Sequence, residues 1–90
     1  MGILKRKEGN NYMNYLITTF IVAINGEQQT RTAGNVIVSD VYNPITIKKQ
    51  ITDHFRKEYP APNTVAVVII DTIAVSEDHY NKTALGRLVL

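Results

Sequence analysis

Two stretches of this 90-residue chain, Asn14–Ile24 and Thr64–Val75, are apolar on both faces of the strands they would form. In the first, Leu16, Phe20, Val22 and Ile24 share one side, while Tyr15, Ile17, Ile21 and Ala23 share the other. In the second, Val65, Val67, Ile69, Ile73 and Val75 share a face with Asp71 among them, and Ala66, Val68, Ile70 and Ala74 share the opposite one. β-Branched and aromatic side chains dominate both runs, as suits a pleated surface. Apolar character on both sides demands cover on both sides, which is the tightest constraint on how the chain can fold.

The signals between the two runs define an order. Asn25-Gly26 directly follows the first run, and both residue types tolerate positive φ, so the pair marks a two-residue hairpin turn. That turn places Phe20 across from Arg31 and Val22 across from Gln29. The returning strand starts polar, Glu27 to Thr32, and turns apolar at Val36-Ile37-Val38, which predicts a tip reaching past the core. Gly34-Asn35 reads as a bulge that realigns the apolar half.

Asn43-Pro44 ends the hairpin, with Thr46 as the expected N-cap of the next element. Ile47, Ile51, Phe55 and Tyr59 recur every four residues as the buried stripe of a helix. Pro60 and Pro62 stop that helix. The second apolar run then reads as a central strand inserted beside the first, reached by the helical crossover and apolar enough to lie parallel to a neighbour. Ser76-Glu77-Asp78 closes it, and the tail, residues 78–90, forms a short helix ended at Gly86 or frays.

The expected fold is therefore α+β: a two-layer ββαβ arrangement, with one helix covering a three-stranded sheet. Residues 1–12 read as a disordered basic head and residues 13–90 as a single domain. Met13 offers an alternative start, with the first twelve residues then an upstream extension. The basic cluster ahead of an apolar run imitates a signal peptide. However, Thr18 and Thr19 interrupt the run, no small-x-small cleavage site follows, and the run is shorter than the roughly 20 residues of a membrane span. The expected location is the cytoplasm, with no membrane partner.

Composition removes several chemistries. Without cysteine there is no disulfide, thiolate nucleophile or thiolate metal site. The net charge of +2 resides in the head, at Lys5, Arg6, Lys7 and Glu8; from Met13 onward seven basic residues face seven acidic ones. The sequence contains no glycine-rich phosphate loop, nucleophile elbow or histidine–metal motif, so no cofactor and no metal are expected.

The stretches Gly34-Asn35-Val36-Ile37-Val38, Asn43-Pro44-Ile45-Thr46, Asn63-Thr64-Val65-Ala66-Val67-Val68-Ile69-Ile70 and Ser76-Glu77 resemble a loose group of small ββαβ proteins of phages and other bacterial mobile elements. The likeness spans roughly residues 13–77 and implies the same fold. It brings no catalytic residues.

Candidate sites follow from what the fold leaves uncovered. One helix shields one face, so the other must meet the tail, a second copy or a different protein, and the open sheet edges are pairing surfaces. Tyr15, Ile17, Ile21, Ala66, Val68 and Ile70 are the expected interface. Asp71, a carboxylate in an apolar strand, is expected either near the strand end, exposed or bonded to backbone, or paired with a base across a dimer interface. Lys48, Lys49, Arg56 and Lys57 give the helix a basic outer face which, with Lys5, Arg6 and Lys7, offers an alternative nucleic-acid contact. Tyr12, Tyr42 and Tyr80 are the aromatics available for base stacking. Asp53-His54 does not make a dyad, because adjacent helical residues face apart, and Glu77, Asp78 and His79, which could offer metal ligands, read as solvated turn residues. The sequence therefore points to a non-enzymatic interaction protein, either a homodimer or one docking on another protein.

Overall fold

The computed structural model describes residues 13–38 and 42–90. The head, with Lys5, Arg6, Lys7 and Tyr12, lies outside the described residues. Strands β1 (Asn14–Ile24) and β2 (Glu27–Ile37) form the hairpin, and helix α1 (Pro44–Glu58) crosses to β3 (Val65–Val75). A short helix α2 (Glu77–Lys82) and a two-residue strand β4 (Leu88–Val89) end the chain. The fold is α+β, with four strands among the described residues in the order β3-β1-β2-β4.

Local chemistry accounts for the first two elements. Asn25 at φ 54° and Gly26 at φ 86° make the tight turn. The register runs unbroken from Ile24↔Glu27 to Asn14↔Ile37, with Phe20 opposite Arg31 and Val22 opposite Gln29. The helix begins one turn earlier than expected, since the N-cap is Asn43 rather than Thr46. Asn43 Oδ1 accepts the Ile45 N–H at 2.9 Å, and Pro44, whose fixed φ is already helical, occupies the first position.

The sheet departs from expectation in three ways. First, β3 is an edge strand and β1 is the central one. The crossover passes over β1, so β3 pairs with it antiparallel and lies parallel to β2 without touching it. Second, β4 adds a fourth strand on the far side of β2, parallel to it at Ala33↔Leu88 and Gly34↔Val89. Third, Gly34-Asn35 is no bulge. The register shift falls instead between Thr19 and Phe20, opposite Asp71 and Ile69, and leaves Ile70 as the extra residue of β3.

That bulge divides β3 between the two faces. Before it, Val65, Val67 and Ile69 lie opposite Ile24, Val22 and Phe20 on the helix side. After it, Thr72 and Ala74 take the helix side, while Asp71, Ile73 and Val75 pair with Thr19, Ile17 and Tyr15 on the other. Asp71, Ile73 and Val75 thus do not share a face with Val65, Val67 and Ile69. Thr18 Oγ1 and Thr72 Oγ1, 2.9 Å apart, satisfy each other on the helix side.

The core sits between the sheet and α1. Phe20, Val22, Ala33, Ile47, Ile51, Phe55, Val65 and Val67 are buried together. Phe20 and Phe55 meet edge to face, 6.1 Å between ring centroids. Arg31, brought opposite Phe20 by the hairpin, lays its guanidinium over the Phe55 ring at 5.6 Å. Tyr59, expected in the stripe, is the C-cap and 38% exposed. Asn43→Ala is expected to cost about 1 kcal/mol in denaturant titrations, and Thr46→Ala markedly less; equal losses would return the cap to Thr46.

Candidate interface on the helix-free face

The face of the sheet away from α1 divides into a covered and a bare part. At the Tyr15 end, α2 folds over it. Ser76 Oγ accepts the His79 N–H at 3.0 Å and starts the helix, which presents Tyr80 inward. The Tyr80 ring packs on Tyr15 with 5.3 Å between centroids. Arg87, from the turn before β4, stacks its guanidinium 3.9 Å from the Tyr80 ring centroid and donates through Nη2 to the Tyr80 carbonyl at 2.7 Å. A Cβ on Gly34 would stand 2.6 Å from Arg87 Nε and 2.7 Å from the Tyr80 hydroxyl. Close approach of the tail is therefore what this glycine serves.

Beyond α2 no described residue covers the same face. Val68 is 60% exposed, Ile70 53% and Ile73 51%, with Ile17 and Ile21 half-buried beside them. The expected interface thus separates. Tyr15 meets α2, Ile17 and Ile21 are intermediate, and Ala66, Val68 and Ile70 are exposed on β3. Ile73 belongs with them and not with Val65, Val67 and Ile69, because the extra residue at Ile70, which sequence alternation does not show, turns it to this face. Asp71 is exposed, not buried, and projects from this face with Thr19 opposite.

The basic face of α1 is less continuous than its sequence suggests. Lys49 pairs with Asp53 at 2.9 Å, and Arg56 Nη2 reaches the Val65 carbonyl at 3.5 Å. Lys48 and Lys57 are exposed. Tyr80 is buried, and Tyr42 is 38% exposed.

The Asp-His pairs are parts of helix surfaces. His54 faces Glu58 at 3.4 Å and sets its ring edge-on to Phe55; Asp78 pairs with Lys82 at 3.1 Å. Among the described residues no three His, Cys, Asp or Glu side chains converge on a metal-sized site. A cleft of about 490 Å³ lies between the end of β2 and the first turn of α1, walled by Val36, Val38, Tyr42 and Ile47. Asn35 Oδ1 in its wall has no hydrogen-bond partner among the described residues, and no described carboxylate, imidazole or amine lines it.

No helix among the described residues is long and apolar enough to cross a membrane. No family model matches the chain, and neither the curated proteins nor the solved structures give a significant match.

Burial under α2, followed by the neighbouring Glu77 carboxylate, raises the Tyr15 phenol above its ordinary 10.0. Below that value the phenol is neutral whether the chain is folded or unfolded, so its full contribution is present. Above it the unfolded chain ionises first, and stability falls as pH rises through the folded value. Denaturant titrations above about pH 10 should therefore show wild type losing stability faster than Tyr15→Phe. Equal slopes would place Tyr15 outside the packed end of the sheet.

Proposed function

We propose that the chain is a non-enzymatic interaction module that self-associates through the bare part of its helix-free face and the β3 strand bordering it. The observation that carries this reading is the group Val68, Ile70 and Ile73, each more than half exposed on one side of a sheet. Apolar side chains scattered singly over a surface need no explanation, but neighbours on one strand do. A second copy brings the same surface and so satisfies both at once. The resemblance to small phage and mobile-element proteins is consistent with an accessory role of this kind. Nucleic-acid binding through α1 is the weaker alternative, because Lys49 and Arg56 already have partners within the chain.

Sedimentation equilibrium over a range of concentrations tests the proposal. A dimer is expected, and Val68→Lys and Ile70→Lys should each weaken it at least about tenfold while leaving the thermal midpoint of the dilute protein near that of wild type. A chain that stays monomeric at high concentration overturns the reading.

A further inference from the structure

The hairpin tip carries a reactive pair that the function proposed above does not use. Asn25-Gly26 is the one Asn-Gly sequence in the chain, and both residues are exposed. Glycine leaves its own main-chain nitrogen unhindered, and a Cβ built on Gly26 would meet nothing within 4 Å. That nitrogen is therefore open to attack the Asn25 carboxamide. In this reaction the bond from the Gly26 nitrogen to Cγ forms and the Cγ–Nδ2 bond breaks. Nδ2 leaves as ammonia, taking up the proton that the Gly26 nitrogen gives up. Water then opens the cyclic imide at one carbonyl or the other and yields aspartate or isoaspartate. Water is the sole co-reactant, and no atom is oxidised or reduced.

The fold restrains this chemistry from outside the hairpin. Asn25 Oδ1 accepts the Thr64 N–H at 3.1 Å, and Asn25 Nδ2 donates to Asn63 Oδ1 at 2.9 Å. The Asn25 N–H donates to the Thr64 carbonyl at 3.0 Å. Asn63 is fixed in turn, since its Nδ2 and its N–H both donate to the Pro60 carbonyl, at 2.9 and 3.1 Å. Both ends of the reactive carboxamide are thus held by the segment that leads into β3. Ring closure requires Cγ to move onto the Gly26 nitrogen and Nδ2 to depart. Neither step is open while Asn63 and Thr64 keep their hold.

We infer that Asn25 is a site of spontaneous deamidation, latched by Asn63 and Thr64, that reacts only when the entry to β3 lets go. The product does not restore the latch. A carboxylate lacks the donor that meets Asn63 Oδ1, and two oxygens facing each other there repel. Isoaspartate also adds a carbon to the main chain of a tight two-residue turn, where Asn25 holds φ 54°. Deamidation at the tip therefore releases the Thr64 end of β3, and a transient opening becomes a permanent one.

Ageing of the intact chain at mildly alkaline pH, followed by peptide mass spectrometry, tests this. Folded wild type should deamidate at Asn25 at least about tenfold more slowly than the same chain in denaturant. Asn63→Ala should speed the folded chain roughly fivefold, as the loss of one hydrogen bond implies. Asn63→Asp, which keeps an oxygen for Asn25 Nδ2, should stay near wild type. Both variants lose the side-chain bond to the Pro60 carbonyl, so the difference between them reads the Asn25 contact alone. Equal rates in folded and denatured wild type, or in the two variants, overturn the inference. Amide exchange on the isoaspartate product gives a second readout that needs no variant. The Thr64 amide should exchange at least about tenfold faster than in unmodified protein, while the Phe20 and Val22 amides keep their protection. A Thr64 amide that exchanges as before overturns the release of β3.

Discussion

A strand with two apolar faces, placed at the centre of a sheet served by one long helix, is the constraint on which the rest of the molecule depends. β1 sends Leu16, Thr18, Phe20 and Val22 beneath α1, where all four are buried. Its other side carries Tyr15, Ile17 and Ile21, and α1 does nothing for these. The chain covers part of this second face with what remains of its length. α2 delivers Tyr80 onto Tyr15, Arg87 closes over Tyr80, and β4 seals part of the β2 border. Six residues of helix and two of strand cover only one end, and among the described residues β3 is left with an uncovered face and an unpaired edge.

The bulge at Ile70 determines the character of what is left over. An unbroken β3 would send Asp71 toward the α1 side and Thr72 away from it. One extra residue reverses this. Thr72 reaches the buried Thr18 hydroxyl, and Asp71 and Ile73 are placed on the open face. A carboxylate is thereby spared burial, while an isoleucine is exposed. The same residue separates a straight, uncharged half of the edge from a kinked, charged half, which gives the border a direction.

Much of the architecture was legible from local signals. Asn25-Gly26 marked the hairpin and its register, and the four-residue spacing of Ile47, Ile51 and Phe55 marked the helix and its buried side. What escaped was non-local. Thr64–Val75 is equally apolar whether it lies at the centre or the edge, so periodicity could not place it. Gly34 looked like a bulge because its actual reason, the approach of Tyr80 and Arg87, comes from residues about fifty positions away. β4 has only two residues, too few to carry a pattern. Of the candidate site, Val68 and Ile70 were visible as apolar residues facing away from the helix. Ile73 was not, because a single inserted residue inverts every assignment beyond it.

The central claim is that the described residues of one copy leave Val68, Ile70 and Ile73 of β3 open to solvent. Solvent paramagnetic relaxation of the Val68 and Ile70 methyl groups, measured from dilute to concentrated protein, addresses it directly. The account predicts strong enhancement in dilute solution and a loss of enhancement as concentration rises. Methyl groups already shielded at the lowest concentration, in a monomer, would contradict it.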